Sequence, residues 1–225
     1  MSLRIDTFVL GLFKTNCYVL RDGAECWVVD PGLLPRRLIR FLRAENIVPS
    51  RILLTHGHGD HIAGVNQVLQ AFAGAAVCCP AGDAAMLGDP DANLSRPFGV
   101  TLTVDEPDEL VQPGHQLALG RSAWRVLDTS GHTPGGVSYY CRSAEVVLTG
   151  DSLFAGTIGR TDIPGASAGR LLRNIQDQLL VLPDDTRVLP GHGPKTTIGI
   201  EKETNPFFAD GKLRSEFSRR RPCEG

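Results

Sequence analysis

Short apolar runs separated by turn residues occupy the first thirty positions of the chain. Gly11 and the pair Asp22-Gly23 interrupt these runs. Apolar runs of about four residues bounded by turn signals are typical of β-strands. The pattern predicts an antiparallel meander, and its three strands are 7–10, 17–20 and 26–29.

A helical period replaces this pattern between residues 35 and 46. Leu38, Phe41 and Leu42 recur at the spacing of one helix face, and arginines occupy the opposite face. This arrangement predicts an amphipathic surface helix. Two further strand-like runs, 52–55 and 76–79, enclose a second helical pattern between Ile62 and Phe72. A meander followed by strand-helix units predicts a mixed sheet covered by helices.

The second half of the chain repeats this order. Residues 80–112 are rich in Asp, Pro and Ala, and we expect a surface loop with one short helix near 82–87. An amphipathic pattern at 171–179 predicts a helix, and the short run 187–189 predicts a strand. Between them lies a second meander, with strands predicted at 116–119, 124–128, 137–141 and 145–149. Two such halves predict a sandwich of two sheets with helices outside.

Four metal-ligand side chains crowd into one stretch, 51–61. His56 and His58 are two residues apart and would face nearly opposite ways on a helix, so a helix is the wrong place for the pair. The apolar run before them suits a buried strand, and Gly57 and Gly59 permit tight turning. We expect Asp60 and His61 to begin the next helix. Strand, loop and helix start would then aim all four side chains into one pocket.

Three more residues of ligand type follow strand signals. His132 and His192 each come after a glycine at the end of an apolar run, and Asp151 directly follows Gly150. Each of these residues alone is weak evidence for a metal site, but together with 51–61 they place five of the six histidines at strand ends or at the start of the helix that follows one. The joint pattern predicts a metal site. His115 does not belong to this predicted set of ligands. Asp30, at the end of the third strand, is expected to hold the ligands in position without binding the metal itself.

Composition narrows the class of protein. The 225 residues carry a formal net charge of −2, which gives no general attraction to nucleic acid. The chain has neither a leader-like N-terminus nor a membrane-spanning apolar stretch, so we expect a cytoplasmic monomer or homodimer without a membrane partner. The six cysteines lack zinc-ribbon spacing and disulfide-scaffold density, which predicts reduced thiols.

These segments together resemble the metallo-β-lactamase superfamily. The motif 56–61, His132, Asp151 and His192 match its metal-binding segments in order. The resemblance implies an αββα four-layer sandwich of two mixed sheets with helices on the outer faces, over residues 1–208. The basic residues that follow predict a flexible tail, 209–225. The resemblance also implies two divalent metal ions bridged by Asp151. The implied ligands are His56, His58 and His132 for the first ion, and Asp60, His61 and His192 for the second.

Within the superfamily, 159–165 and 190–207 resemble the short glyoxalase II-like hydrolases. This implies hydrolysis of a small-molecule thioester such as S-lactoylglutathione, with Asp60 as ligand and as the catalytic residue that orients the attacking oxygen. Arg160 and Lys195 are candidates for substrate binding. Glyoxalase II enzymes use a C-terminal helical domain to hold glutathione, and only 33 residues follow His192 here, so we expect weak or altered glutathione-thioester activity.

Other readings stay open. Persulfide dioxygenases share the fold and hold one iron, for which the trio here would be His56, His132 and Asp151. Lactone or weak β-lactam hydrolysis and a non-enzymatic metal-binding protein are further alternatives. Nitrogen and carboxylate ligands without thiolate suit zinc best, with iron and manganese left open.

Overall fold

Two six-stranded sheets form the centre of the computed structural model, which describes residues 3–209. The first sheet has the order β1-β2-β3-β4-β5-β6. Its first three strands pair antiparallel and the later ones parallel, so the sheet is mixed. The strands are β1 (Arg4–Leu10), β2 (Thr15–Asp22), β3 (Glu25–Val29), β4 (Arg51–Leu53), β5 (Ala76–Pro80) and β6 (Glu109–Val111).

The second sheet is also mixed and takes its strands from the second half of the chain. These strands are β7 (Gln116–Leu119), β8 (Ser122–Asp128), β9 (Val137–Cys141), β10 (Val146–Gly150), β13 (Arg187–Pro190) and β14 (Thr196–Thr197). Their order is β14-β13-β10-β9-β8-β7, with β10 and β13 parallel and the other neighbours antiparallel. A separate hairpin joins β11 (Leu153–Phe154) and β12 (Thr157–Ile158).

Helices cover the outer faces of both sheets. Residues of α1 and α3, including Leu38 and Val68, pack on the first sheet, and Leu171 of α4 packs on the second. The helices are α1 (Arg36–Ala44), α2 (Gly59–Ile62), α3 (Val65–Ala71), α4 (Ala168–Asn174) and α5 (Ile198–Thr204), and a π-helical turn, Ile175–Leu179, extends α4. The predicted αββα sandwich is confirmed. Among residues 3–209, no helix is both long and apolar enough to cross a bilayer.

Strand periodicity explains why the apolar runs are continuous. Cys17 and Val19 of β2 face the outer layer with α1, whereas Tyr18 and Leu20 face the layer between the sheets. Because successive side chains on a strand point to opposite faces, a strand buried on both sides must be apolar throughout. Trp27 and Trp124 meet in the central layer, with ring centroids 6.5 Å apart.

The short helix predicted near 82–87 is present as a 3-10 helix, Ala81–Gly88, but the expectation of a surface loop over the rest of 80–112 was wrong. Val104 and Asn93 are buried there, and β6 adds a strand to the first sheet. The Asn93 side chain donates to the carbonyl oxygens of Met86 and Leu102, at 3.1 and 3.0 Å. These bonds fold the part between Gly88 and β6 onto itself, where a single 3-10 turn, Arg96–Phe98, is the regular structure, and for this reason no period marks it in the sequence. The hairpin β11–β12, β14 and α5 were also not predicted.

The five cysteines within the described residues are buried and form no disulfides with one another: Cys17, Cys26, Cys78, Cys79 and Cys141. This agrees with the prediction of reduced thiols. Cys223 and the predicted basic tail lie outside the described residues, except for Ala209.

Candidate metal centre

The predicted ligands meet at one edge of the two sheets. His56 and His58 follow β4, and His58 is the extended residue that precedes α2. Asp60 and His61 lie in the first turn of α2, as predicted. The other three come from the second sheet: His132 follows β8, Asp151 follows β10 and His192 follows β13. His115 is exposed and lies between β6 and β7.

A glycine before His192 allows this close approach. A Cβ atom at Gly191 would overlap the Asp151 Oδ1 atom and lie 2.6 Å from His61 Cε1. Any larger residue would therefore displace side chains from two other segments, those of Asp151 and His61. This close packing explains the glycine that the sequence places at the strand end.

His56, His58 and His132 form the first group. One ring nitrogen from each lies within 4.8 Å of the others. The His58 Nδ1 and His132 Nε2 atoms are 2.9 Å apart. Nitrogen ligands at 2.0–2.1 Å on a tetrahedral zinc ion are separated by about 3.3 Å, so this spacing suits a shared ion. His56 Nε2 is buried without a hydrogen-bond partner, which is costly unless the atom binds a metal.

Asp60, His61 and His192 form the second group, with ligand atoms also within 4.8 Å of one another. The Nε2 atoms of His61 and His192 are 3.2 Å apart, and His192 Nε2 is 3.1 Å from Asp60 Oδ2. Thr15 Oγ1 donates to the same carboxylate oxygen at 3.2 Å. Two nitrogens and one oxygen form a donor set that suits zinc, iron or manganese.

Asp151 lies between the two groups. Its Oδ1 atom is 3.2 Å from His61 Nε2 in the second group, and its Oδ2 atom is 3.6 Å from His132 Nε2 in the first. Oδ2 is also 3.5 Å from His192 Nε2. The carboxylate therefore reaches both groups, which is the placement expected of a bridging ligand.

Asp30 and Thr55 fix the orientation of two histidines. Asp30 Oδ2 accepts from His61 Nδ1 at 2.9 Å and from Thr55 Oγ1 at 2.6 Å. Because the Thr55 hydroxyl proton is used in this way, Thr55 Oγ1 accepts from His56 Nδ1, 3.0 Å away. The protonated Nδ1 leaves a lone pair on Nε2 of each neutral ring, facing the centre. Asp30 thus takes the supporting position that its place at a strand end suggested.

Backbone carbonyl groups orient two more rings. His132 Nδ1 donates to the Arg160 carbonyl oxygen at 2.8 Å, and His192 Nδ1 donates to the Phe13 carbonyl oxygen at 3.0 Å. Each bond leaves Nε2 as the inward ligand atom. Four of the five clustered histidines are therefore held by an outer hydrogen bond in the tautomer that a metal requires.

Asp83, which sequence reasoning missed, ties the two halves of the centre together. Its Oδ2 atom accepts from Gly57 N at 3.0 Å and its Oδ1 atom from Gly135 N at 2.6 Å. Gly57 separates His56 from His58, and Gly135 belongs to the loop that carries His132. Burial raises the pKa of Asp83 above its usual value, although these bonds oppose the shift. No sequence signal distinguishes Asp83 from the other aspartates of its segment.

Burial favours the neutral form of two histidines in the first group, His56 and His58. Burial, and then the neighbouring His61, lowers the pKa of His56 well below its usual value. Burial, followed by the proximity of His132, lowers the pKa of His58 to about 3. Neutral imidazoles have a free lone pair, so these two rings need not lose a proton before they bind a metal at neutral pH.

The second group has the opposite electrostatics. Burial alone would lower the pKa of His61, but three surrounding carboxylates raise it well above the usual value; they belong to Asp151, Asp60 and Asp30. Burial also opposes the charge on His192, whose hydrogen bond with Asp60 nevertheless raises its pKa. Burial would raise the pKa of Asp60 and Asp151, but His61 and the other histidines lower it in both. A metal entering this group must replace protons.

A cavity of about 350 Å³ opens onto the centre. Arg160 lines it, but its guanidinium donates to both carboxylate oxygens of Asp162, at 2.8 and 2.9 Å. Lys195 is exposed and is not among the lining residues, so the structure does not bring it to the centre. The apolar walls were not predicted, and they comprise Phe13, Leu33, Ala63, Leu94, Phe98, Val100, Leu102 and Ile163.

Comparison with known families agrees with this geometry. Residues 10–192 match the family model of the metallo-beta-lactamase superfamily. The chain belongs to this superfamily, and its predicted resemblance is confirmed. It is a metallo-hydrolase whose metal identity is not fixed by the donor set.

Relatives and solved structures cover nearly the whole chain. It is 36% identical to the probable metallo-hydrolase YqgX of Bacillus subtilis, over 88% of this chain and 94% of the relative. It is 34% identical to the hydroxyacylglutathione hydrolase GloC of Haemophilus influenzae, over 92% of this chain and 98% of that protein. The BLEG-1 B3 metallo-beta-lactamase has a TM-score of 0.87 at 39% identity, over 92% and 100%. TTHA1623 in a di-iron-bound form has a TM-score of 0.80 at 35% identity, over 90% and 100%.

Proposed function

We propose that this protein hydrolyses thioesters at a centre of two divalent metal ions, within the class that includes glutathione thioesters such as S-lactoylglutathione. The observation that carries the proposal is the position of Asp151, whose carboxylate reaches both ligand groups. The likeness to the hydroxyacylglutathione hydrolase GloC supports the reaction type. Zinc is the first choice of metal, and the di-iron form of TTHA1623 supports iron as the alternative.

The proposed ligands are His56, His58 and His132 for one ion, and Asp60, His61 and His192 for the other, with Asp151 shared. Two such ions supply Lewis acidity and lower the pKa of water toward neutrality. Asp60 is the catalytic residue. Its lowered pKa keeps it ionised, so it accepts a hydrogen bond from the attacking water and orients it without donating a proton.

Thioester cleavage also fits the protonation of the histidines. The outer Nδ1 atoms of four rings donate to fixed acceptors, and their Nε2 atoms face the ligand groups. Once their Nε2 atoms bind metal, these four rings have no proton free for a leaving group. A thiolate, with an ordinary thiol pKa of about 8.5, leaves without strong acid assistance, unlike an amine.

Metal removal and stepwise restoration test this proposal. We expect hydrolysis of S-lactoylglutathione and simple acyl thioesters to vanish after chelation and to return as metal is added back. Oxygen uptake on glutathione persulfide, measured in parallel with iron content, tests the dioxygenase alternative, which needs one iron only. Thioester hydrolysis that survives complete chelation would contradict the proposal.

β-Lactam hydrolysis is a second candidate because of the 39% identity to BLEG-1. A chromogenic β-lactam assayed with the same metal-loaded protein compares the two reactions. A kcat/KM for the lactam above that for every thioester would favour this candidate.

A further inference from the structure

The cavity beside the centre has an apolar rim. Three lining side chains are substantially exposed in the free molecule: Phe13 by 47%, Phe98 by 63% and Val100 by 51%. They come from two separate places, the turn between β1 and β2 and the irregular segment before β6. Large exposed apolar side chains grouped around a concave site are typical of ligand-binding surfaces.

This rim is held in position relative to the centre. The Phe13 and Phe98 rings meet edge to face, with centroids 4.9 Å apart. The Phe13 carbonyl oxygen accepts from His192, and Gly59 N of α2 donates to the Asn93 carbonyl oxygen at 2.7 Å. Both walls are therefore bonded to elements that carry proposed ligands, so a group lying between them is positioned beside the reacting atoms.

Charge on the lining is sparse and already paired. Among the described residues that line the cavity, Arg160 is the one permanent cation, and Asp162 occupies its guanidinium through two hydrogen bonds. Asp60 and Asp151 also line the cavity, where they would be ligands of the proposed metal ions. Glutathione has two carboxylates, and this lining offers them no unpaired cation. The same surface favours an uncharged chain.

We propose that the cavity selects thioesters with an apolar acyl chain of several carbons on an uncharged thiol. This inference rests on the proposed thioester hydrolysis and specifies its substrate class. Each methylene buried in an apolar site raises kcat/KM by up to roughly fourfold, so chain length is a direct measure of contact with the rim.

The test is a matched series of thioesters on one neutral thiol, N-acetylcysteamine, with acetyl, butyryl and hexanoyl groups, together with hexanoyl-glutathione. We expect kcat/KM to rise at least about tenfold from acetyl to hexanoyl. Hexanoyl-glutathione should be no better than the neutral hexanoyl thioester. Val100→Ser should lower the hexanoyl-to-acetyl ratio several-fold, roughly the loss of one to two buried methyl groups.

Val48→Ser is the control, because Val48 is 65% exposed at the opposite end of β4 and should leave the ratio unchanged. A flat or falling series among cleaved thioesters would overturn the inference but leave the proposed function intact. Cleavage of none of the thioesters would contradict the proposed function. Calorimetry with S-alkyl thioether analogues tests the apolar subsite separately from the hydrolysis. Affinity that rises with the length of the alkyl chain supports the subsite even if no thioester is cleaved. Affinity independent of length refutes it.

Discussion

Asp30, at the end of β3, accepts a hydrogen bond from His61 in the first turn of α2, with Oδ2 and Nδ1 2.9 Å apart. The same carboxylate also accepts from the Thr55 backbone N–H and hydroxyl, at 2.8 and 2.6 Å. One side chain thus sets the tautomer of a proposed ligand and fixes the residue before His56.

Asp30→Asn is expected to weaken metal binding at the second group. The amide has a single acceptor oxygen, so it loses either the bond from the Thr55 backbone N–H or the two bonds from His61 and the Thr55 hydroxyl. We expect a 10- to 100-fold loss of affinity for one of two metal ions, roughly the effect of losing such a supporting bond. Titration against a competing chelator measures this. Asp91→Asn, on an exposed aspartate paired with Arg96, should bind both ions as the wild type does.

Thr55→Val should destabilise the protein, whereas Thr186→Val should not. Both threonines are buried, but the Thr55 hydroxyl bonds to Asp30 and His56, and the Thr186 hydroxyl has no partner. Loss of the Thr55 hydroxyl leaves buried polar groups unsatisfied, at a cost of about 1–3 kcal/mol. Urea denaturation of the metal-free proteins gives the two free energies of unfolding. Equal effects would show that the Asp30–Thr55–His56 chain contributes nothing specific.

Asp83→Asn tests the link between the ligand loops. Each carboxylate oxygen of Asp83 accepts from a different backbone N–H, so an amide can retain only one of the bonds. We expect a loss of about 1–3 kcal/mol in stability and weaker binding at the first group. Asp89→Asn is a matched control in the same segment, because one oxygen of that exposed side chain accepts both of its bonds. Comparable losses in both variants would argue against the link.

The two groups should lose metal at different pH values. Raised pKa values mean that His61 and His192 hold protons up to a pH above about 6.5, so protons compete for the second group as pH falls. His56 and His58 have lowered pKa values and stay neutral to lower pH. Metal content measured after equilibration from about pH 8 to pH 5 should therefore pass through a one-metal state. Simultaneous loss of both ions would contradict this.

Asp60→Asn should reduce kcat by at least about 100-fold with metal present, because the amide no longer accepts a hydrogen bond from water as an ionised carboxylate does. Metal content, determined on the same samples, separates lost orientation from lost metal. A fully loaded variant with unchanged kcat would remove Asp60 from the catalytic role.

Six of the seven proposed ligands could be predicted because each lies beside a glycine shortly after a strand, and both signals are local. His61 is beside no glycine and was predicted from its place in the motif 56–61. The roles of Thr55 and Asp83 could not be predicted, since each depends on a hydrogen bond to a partner 25 to 52 residues away in the sequence. Arg160 was selected for its side chain, yet its carbonyl oxygen is what contacts His132. A backbone group leaves no mark on residue identity, so this contact is visible only in three dimensions.

The fold was predicted from strand and helix periods, but the cavity walls were not. The walls include Leu94, Phe98 and Val100, which belong to an irregular segment held by Asn93 side-chain hydrogen bonds. Irregular backbone has no repeat, so its burial cannot be inferred from spacing. The residues that would select a substrate are thus less predictable than those that would bind metal.

Phe13 combines two contacts through different parts of one residue: its carbonyl oxygen holds His192, and its ring forms part of the cavity rim. The hydrogen bond to His192 uses the backbone, so it does not depend on which side chain is present at position 13. The contribution to the cavity rim comes from the side chain alone. Substrate preference can therefore diverge by single substitutions in this turn while the hydrogen bond to His192 is inherited unchanged.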